Sequence, residues 1–338
     1  MNWAVIMAGG SGERFWPLSR RKTPKQLLAI TAKRTMIQEA VDRLQIQPAR
    51  VMVVTNAVQA PAVRRQLPAV KNIVAEPMGR NTAPCVALAA VMIARKDPDA
   101  VMVVVPADSW IGDVAKYRTV VRESLALAAK RDVLITIGIS PTAPHTGYGY
   151  VQVGKKITGR FSEAVRFVEK PDLPTAKRYL ASGQYRWNAG MFVWSARAIL
   201  AAYRRHQPAL LAEIEKIRDT RSLKRIYPTL EKISVDYAIM EKADNVVAAN
   251  GDFPWDDVGD WAALARHFPS VDGNAVRGDF LGVNATDCVV YNSGGHLVGA
   301  VGVTGLVIVH TKDATLVCRK EDSQRVRDLV KLLPGAYL

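Results

Sequence analysis

A glycine-rich segment near the N-terminus carries the strongest chemical signal in the sequence. It follows the first apolar run and reads Met7-Ala8-Gly9-Gly10-Ser11-Gly12-Glu13-Arg14. Three glycines within four positions let the backbone turn sharply and approach a ligand without steric conflict from Cβ atoms. Successive N–H groups that are exposed in such a turn can bind an anion. The segment therefore predicts a phosphate-binding loop.

Two familiar phosphate-binding patterns do not fit this loop. The Walker A pattern requires a lysine directly after its last glycine, whereas Glu13 follows Gly12 here. The dinucleotide-binding pattern matches Gly10 and Gly12, but Phe15 occupies the place of its third glycine. The sequence therefore indicates a phosphate loop of another kind.

Basic side chains are concentrated just after the loop, where Glu13 is the only acid. The cations are Arg14, Arg20, Arg21, Lys22 and Lys25. The apolar residues at 15–18 lie among them and are expected to hold the segment against the body of the protein. Cations a few residues beyond a glycine loop suit a triphosphate whose leaving group must be neutralised. A solvated basic loop is the alternative interpretation.

Two separate groups of acidic residues indicate a metal site. Asp108 follows an apolar run at 100–105, and a second group, Asp256, Asp257 and Asp260, lies far along the chain. One carboxylate from each group would suit Mg²⁺, which takes few protein ligands and relies on substrate phosphates and water. For Asp108 the alternative is a turn or a helix cap. No histidine or cysteine set has zinc-ligand spacing, and no serine-hydrolase pattern indicates a covalent nucleophile.

Elements that would position these residues alternate between strand-like and helical patterns. The predicted strands are 3–8, 50–55, 73–75, 100–105 and 133–139, and the predicted helices are 35–44, 57–67, 82–95 and 114–131. This order predicts an α/β fold with a Rossmann-like, mostly parallel mixed sheet and helices on both faces. Ligands gather at the carboxyl ends of the strands in such sheets, which is where the glycine loop and Asp108 fall.

The pattern changes near residue 140 and again near residue 269. Shorter strands at 149–153, 164–169 and 190–195 alternate with helices at 175–182, 196–205 and 235–243. Beyond 269–273, short β segments broken by glycine precede a closing helix near 322–332. We expect a large domain over residues 1–268, divided near residue 140, and a small β-rich domain over residues 269–338.

The charge and hydropathy of the chain limit its partners. Lys and Arg number 46 against 31 acids, which gives a formal net charge of +15. Such a charge attracts anions, but it is spread along the chain without a basic tail or a nucleic-acid-binding module. No apolar run reaches the ~18 residues of a membrane-spanning helix, and no signal peptide is recognised. We therefore expect a cytoplasmic protein that binds neither a membrane nor nucleic acid.

An ordered set of motifs resembles one known family. Residues 9–19 with Pro24-Lys25-Gln26 are similar to the signature of the sugar-nucleotide pyrophosphorylases, and Trp16-Pro17-Leu18-Ser19 resembles the mannose-1-phosphate guanylyltransferase branch. Further matches lie at 76–84, 106–108, 146–150, 167–172, 187–192, 234–237 and 255–259. The set spans nearly the whole chain. It implies the nucleotide-diphospho-sugar transferase type of fold and the transfer of a guanylyl group.

The resemblance implies that the phosphate of mannose 1-phosphate attacks the α-phosphorus of GTP and that pyrophosphate leaves. Because the attacking phosphate is already ionised, catalysis would consist mainly of positioning and charge neutralisation. The implied residues are Gly9, Gly10 and Gly12 around the nucleotide, Arg14 and Lys25 on its phosphates, and Asp108 and Asp257 on Mg²⁺ or another divalent cation. Asp256 and Asp260 lie beside Asp257 and remain alternatives.

The resemblance also implies which residues bind the base and the sugar phosphate. Glu76 could accept hydrogen bonds from guanine N1–H and its amino group, with help from the backbone near Asn81 and Thr82. The positions implied for the sugar phosphate are Gly147, Glu169, Lys170, Asn188 and Gly190. Residues 1–140 would then serve the nucleotide and residues 141–268 the sugar. The β-rich tail resembles that of one-function enzymes and implies a homodimer.

Three other interpretations remain open at this stage. The same chemistry could use another GDP-sugar pair, such as GDP-fucose. A non-catalytic sugar-nucleotide-binding relative would have less need of Arg14, Lys25, Asp108 and Asp257 together. Nucleic-acid binding would predict a steep dependence of affinity on salt concentration.

Overall fold

A computed structural model describes residues 1–338, and its largest element is a nine-stranded mixed sheet. Strands up to residue 256 are β1 (Asn2–Ala8), β2 (Val51–Asn56), β3 (Asn72–Glu76), β4 (Val101–Pro106), β5 (Trp110–Ile111), β6 (Leu134–Ile139), β7 (Tyr150–Thr158), β8 (Phe161–Val168), β9 (Tyr185–Ser195), β10 (Val246–Gly251) and β11 (Trp255–Asp256). The α-helices are α1 (Met36–Asp42), α2 (Ala60–Gln66), α3 (Thr82–Lys96), α4 (Val114–Lys130), α5 (Leu173–Ser182), α6 (Ala196–His206), α7 (Pro208–Glu215), α8 (Thr220–Ile226) and α9 (Val326–Val330). None of these helices combines the length and apolar character that crossing a membrane requires.

Short helical turns complete the secondary structure. The 3-10 turns are Glu13–Phe15, Lys25–Leu27, Pro48–Arg50, Tyr227–Thr229, Ala262–Arg266, Lys320–Arg325 and Gly335–Tyr337. A π-helical turn, Asp236–Met240, lies where the sequence predicts a longer helix at 235–243.

The strand order of the main sheet is β3-β2-β1-β4-β9-β6-β10-β8-β7. Strands β2, β1 and β4 pair in parallel, whereas β9 runs antiparallel to both β4 and β6. Only β8 and β9 run against the direction of the other strands in this sheet. The predicted mixed, mostly parallel α/β sheet is confirmed. Its first half brings the carboxyl ends of β1 and β4 side by side, since Met7 pairs with Pro106.

Successive residues of β1 face opposite layers of the core, as the period of a strand requires. Trp3 and Val5 pack into a cluster that includes buried residues of α3, α6 and α7. Ala4 and Ile6 pack into a second cluster with residues of α1, α2 and α4. Burial on both faces explains why the central strands contain almost only apolar residues.

The C-terminal part winds between two small sheets, one of five strands and one of two. Its strands are β12 (Ser270–Val271), β13 (Asn274–Arg277), β14 (Phe280–Val283), β15 (Val289–Asn292), β16 (Val298–Val301), β17 (Leu306–His310) and β18 (Thr315–Arg319). Strands β13, β15 and β17 pair in parallel, and β14 pairs in parallel with β16 in the other sheet. The predicted β-rich domain is confirmed, and its predicted closing helix is a 3-10 turn that continues directly into α9.

A shared apolar core joins the C-terminal part to the segment after the glycine loop. Phe15 and Trp16 pack in one cluster with Trp261, Tyr291 and Val326. Trp261 Nε1 donates to the carbonyl oxygen of Trp16 over 2.9 Å, and Trp16 Nε1 donates to a carbonyl near the C-terminus over 3.0 Å. The segment is therefore held from both sides, as its apolar residues predict.

The sequence pattern does not predict several of the elements, and each has an identifiable reason. Strand β10 lies in the middle of the sheet, parallel to β6, although it contains Ala248, Ala249 and Asn250 rather than β-branched residues throughout. Helices α7 and α8 have only eight and seven residues, so neither carries a long apolar period. Their ends are set locally, by Pro208 in the first turn of α7 and by a capping box at Asp219 before α8.

Candidate active site

A cleft of about 1020 Å³ opens at the carboxyl ends of β1 and β4. The predicted residues that line it are Gly10, Gly12, Arg14, Lys25, Thr82, Asp108, Gly147, Glu169, Lys170, Asn188, Gly190 and Asp257. Gly9, Glu76 and Asn81 lie outside its lining. Residues from both halves of the large domain therefore face one cavity.

The glycine loop turns its carbonyl groups toward the protein. Gln26 Nε2 donates to the carbonyl oxygens of Ala8 and Gly10 over 2.9 and 3.0 Å, and Gln59 Nε2 donates to Gly10 over 3.1 Å. The amide groups of Gly10, Ser11 and Gly12 donate no hydrogen bond within the protein. Unsatisfied amides at the edge of a cleft are suited to an anion.

Gly12 is required by the backbone of this loop. Its φ of +64° lies in the left-handed region, and a Cβ atom would approach the backbone nitrogen of Lys25 to 2.5 Å. The absence of a side chain lets the Lys25 segment pack directly against the loop. The loop and its principal cation are thus fixed relative to each other.

Lys25 joins the two acidic groups of the cleft. Its Nζ donates to Asp108 Oδ2 over 2.9 Å and to the main-chain oxygen of Asp257 over 2.6 Å. The side chain of Lys25 is only 6% exposed, whereas that of Asp108 is 40% exposed, so the contact is shielded from water on the lysine side. The structure therefore brings together the three predicted residues Lys25, Asp108 and Asp257.

The three neighbouring acids at 256–260 have different partners. Asp256 is buried, and burial favours its neutral form, but hydrogen bonds from His267 and Arg266 outweigh burial and lower its pKa to about 2. Asp260 caps a short helical turn through the amide of Ala263. Asp257 alone of the three lines the cleft.

Asp257 is half-buried and lies near other acidic side chains. Burial raises the pKa of its carboxyl group above the ordinary value, and the nearby charge of Asp108 adds to this effect. Lys25 and a hydrogen bond from the Tyr148 hydroxyl, at 2.9 Å from Oδ1, act in the opposite direction. Two carboxylates that face the same cleft fit a divalent cation that completes its shell with phosphate oxygens and water. No group of three or more acidic, histidine or cysteine side chains could hold a metal ion without such outside ligands.

Glu76 lies close to the glycine loop although it does not line the cleft. A Cβ atom on Gly9 would come to 3.3 Å from Glu76 Oε2, so the carboxylate lies against the face of the loop that has no side chain. Burial raises the pKa of Glu76 to about 7, and a hydrogen bond donated by the Tyr227 hydroxyl partly opposes this effect.

Asn81 and Thr82 organise the start of α3 beside the loop. Asn81 Oδ1 accepts from the amide of Thr82 over 2.8 Å and so caps the helix. Thr82 Oγ1 accepts from the amide of Val235 over 2.9 Å, and Thr82 itself faces the cleft. These contacts tie α3 to the π-helical turn at Asp236–Met240.

The opposite wall of the cleft is formed by β9 and the loops beside it. Asn188 Nδ2 donates to Asp236 Oδ1 over 2.7 Å, and Asn188 Oδ1 accepts from the amide of Gly190 over 3.1 Å. Glu169 pairs with Lys170 at 2.9 Å. The wall thus contains fixed donors and acceptors beside one solvated cation, since the Lys170 side chain is 63% exposed.

Sixteen further residues line the cleft without having been predicted as site residues, and five of them have side chains suited to binding or proton transfer. These five are His145, Tyr148, Asp236, Gln324 and Arg327. Tyr148 and Asp236 belong to motifs that the sequence analysis recognised, so their position in those motifs was the available signal. His145 stacks on Tyr148 with ring centroids 3.7 Å apart. Nothing in the sequence pattern identifies Gln324 or Arg327, which come from the C-terminal domain.

Comparisons with known proteins identify the family of the chain. A family model described as nucleotidyl transferase matches residues 3–272, and one described as MannoseP isomerase/GMP-like beta-helix domain matches residues 278–333. Mannose-1-phosphate guanylyltransferase of Klebsiella pneumoniae is 40% identical over 346 aligned positions, which cover 97% of this chain and 73% of the relative. The chain belongs to the mannose-1-phosphate guanylyltransferase family.

Other relatives extend over the same region. The xanthan biosynthesis protein XanB of Xanthomonas campestris pv. campestris (strain B100) is 39% identical over 98% of this chain and 73% of its own length. The crystal structure of mannose-1-phosphate geranyltransferase from Thermus thermophilus superposes with a TM-score of 0.90 at 35% identity, covering 98% of both chains. The resemblance stated from the motifs is confirmed. The roles of the individual site residues stay predictions.

The loop geometry predicts that Gly12→Ala disrupts the site. A Cβ atom would collide with the backbone of Lys25, so we expect stability to fall by about 1–3 kcal/mol because of the strained φ alone. Turnover should fall with it. Thermal unfolding and steady-state kinetics measure the two effects.

Gly335→Ala is the matched control for this substitution. No atom lies within 4 Å of a Cβ atom at that position, so its stability should be unchanged. A Gly12→Ala protein as stable and as active as the wild type would contradict the proposed need for glycine at residue 12.

Proposed function

We propose that this protein transfers the guanylyl group of GTP to mannose 1-phosphate, forming GDP-mannose and pyrophosphate with the help of Mg²⁺ or another divalent cation. The relatives named for this activity support the substrates. The observation that carries the proposal is the single cleft in which a glycine loop, Lys25, Asp108 and Asp257 face Glu169 and Asn188 across one cavity.

The cleft walls suit the two halves of this reaction. The free amides of the glycine loop, with Arg14 and Lys25, would bind the phosphates of GTP. Gly147, Glu169, Lys170, Asn188 and Gly190 would bind the sugar phosphate. We accordingly assign residues 1–140 to the nucleotide, residues 141–268 to the sugar and residues 269–338 to a separate C-terminal domain.

The reaction requires the two substrates to be positioned, and it does not require a nucleophile from the protein. The phosphate of mannose 1-phosphate is already an anion and attacks the α-phosphorus of GTP directly, while the bond to the pyrophosphate oxygen breaks. Preorganised positive charge and amide dipoles stabilise the charge that develops on the transferred and departing phosphates. Arg14 and Lys25 would supply this positive charge.

Asp108 and Asp257 are the residues that would hold the divalent cation. When bound, such a cation neutralises phosphate charge and orients the two substrates. The half-buried position of Asp257 and the nearby charge of Asp108 support this assignment, because carboxylates that lie close together favour a positive charge between them. Lys25 would remain their neutralising partner on the protein side.

Base selection would depend on Glu76. An ionised carboxylate accepts from guanine N1–H and its amino group, whereas the Watson–Crick edge of adenine presents an acceptor at N1. Gly9 supports this assignment because it places no side chain between Glu76 and the loop. Asn81 and Thr82 would complete the base site through the start of α3.

A substrate panel tests the function directly. Pyrophosphate release is measured with GTP, ATP, UTP and dTTP against mannose, glucose and fucose 1-phosphates, with Mg²⁺ and then with a chelator. We expect fast release only with GTP and mannose 1-phosphate, and none with the chelator. Release with another pair would overturn the assignment of the base or the sugar. If the folded protein releases no pyrophosphate with any pair, a non-catalytic binding protein is favoured.

The role of Glu76 predicts a pH dependence. Its pKa of about 7 in the free protein means that Glu76 must lose a proton to accept from guanine. The affinity for GTP should therefore be constant above pH 7 and fall as the pH drops below 7, by up to about tenfold per pH unit. The Michaelis constant for GTP, measured between about pH 5.5 and 8.5, reports this change.

Two variants separate Glu76 from other titrating groups. Glu76→Gln should bind GTP more weakly and lose this pH dependence. Tyr227→Phe removes the hydrogen bond that lowers the pKa of Glu76, so the break in the profile should move to higher pH. A Glu76→Gln protein that binds GTP as tightly as the wild type at pH 8 would refute the guanine assignment.

We also propose that two copies associate through the C-terminal domain. Its two-stranded sheet exposes large apolar side chains, with Leu281 63%, Val283 54% and Val301 72% exposed. Pairing of two such faces would remove them from water. Sedimentation equilibrium should show that the wild type is a dimer and that Val301→Asp is a monomer. A monomeric wild type would contradict this proposal.

The cytoplasmic location remains a prediction.

A further inference from the structure

The closing segment of the C-terminal domain, residues 320–330, forms part of the cleft wall. It consists of the 3-10 turn Lys320–Arg325 followed by α9, and it contributes Gln324 and Arg327 to the lining. These side chains are three residues apart and therefore lie on the same face of a helical turn. The segment is anchored by Val326, which is buried in the core shared with Phe15 and Trp261.

Gln324 fixes the position of this segment over the glycine loop. Its Oε1 accepts from Arg14 Nη1 over 2.8 Å, and its Nε2 donates to Asp260 Oδ2. One side chain thus bridges the loop and the turn that follows Asp257. Because Val326 is anchored and Gln324 is held at both ends of its amide, the backbone that carries Arg327 is fixed relative to the loop.

Arg327 differs from the other cations of this segment in having no partner. Arg325 pairs with Asp322 at 3.2 Å, and Lys320 pairs with Asp287 at 2.5 Å. Arg327 forms no ion pair or side-chain hydrogen bond and faces the cleft that also contains Arg14 and Lys25. A cation kept beside other cations, and beside amides without acceptors, is suited to a ligand with several negative charges.

We propose that Arg327 binds the β- and γ-phosphates of the nucleoside triphosphate, and pyrophosphate in the reverse reaction, so that the C-terminal domain completes the active site. This inference rests on the proposed nucleotidyl transfer. The sugar wall lies on the β9 side of the cleft, whereas Arg327 enters from the side of Arg14 and the glycine loop. A planar guanidinium can bind two phosphate oxygens at once.

The test compares Arg327→Gln with the control Arg325→Gln, which lies on the same segment and pairs with Asp322 instead. Binding of inorganic pyrophosphate, GTP and GDP-mannose is measured by calorimetry with Mg²⁺ present. We expect Arg327→Gln to weaken pyrophosphate and GTP by about 10- to 100-fold, as for loss of a charge-assisted contact. GDP-mannose contains the α-phosphate of GTP and the phosphate of mannose 1-phosphate but not the pyrophosphate that leaves, so Arg327→Gln should bind it as tightly as the wild type does. Arg325→Gln should change none of the three affinities.

Each other outcome has a definite meaning. Equal binding of pyrophosphate by the wild type and Arg327→Gln would overturn the inference while leaving guanylyl transfer intact. Equal weakening of pyrophosphate and GDP-mannose would also overturn it, because a general disturbance of the cleft affects both. If the substrate panel instead identifies another triphosphate and Arg327→Gln weakens that triphosphate and pyrophosphate alone, the phosphate site stands and the guanine assignment falls.

Discussion

The contact of Lys25 with both acidic groups is the interaction on which the cleft depends. Its ammonium group lies 2.9 Å from Asp108 Oδ2 and 2.6 Å from the main-chain oxygen of Asp257. It thereby joins the end of β4 to a loop almost 150 residues later in the chain. Removing one partner would leave a buried charge uncompensated, which costs much more than the net gain of forming the pair. Gly12 makes the contact possible, because any side chain there would displace the backbone of Lys25.

A second constraint is the core that the two domains share. Phe15 and Trp16 follow the glycine loop directly, and they are buried against Trp261, Tyr291 and Val326. The glycine loop is therefore held in place by the C-terminal domain as well as by the sheet that precedes it. The small domain thus forms part of the cleft wall. It also accounts for the apolar residues among the cations at 15–18, which would have no reason to occur in a solvated loop.

The sequence is informative where local chemistry determines structure, and it fails where partners come from distant residues. A glycine loop follows one buried strand, and an aspartate follows another. Because parallel strands end at the same edge of a sheet, the sequence predicted that the loop and the aspartate lie at one edge. The sequence does not show which of Asp256, Asp257 and Asp260 faces the cleft. The answer depends on the hydrogen bonds that Arg266 and His267 form with Asp256. The sequence also does not predict the contact of Arg14 with Gln324, because the two residues are 310 positions apart in the chain. The composition of β10 did not predict a strand, although it pairs with β6 and β8 in the interior of the sheet.

The central claim is that the cleft positions the two substrates and neutralises charge, while the sugar phosphate itself attacks the nucleotide. The stereochemical course at the α-phosphorus tests this most directly. A GTP analogue of known configuration, with sulfur in place of one α-oxygen, is converted with mannose 1-phosphate, and the configuration of the product is determined. A single direct displacement predicts inversion. Retention would mean two displacements through a nucleotidyl group attached to the protein, and would contradict the account.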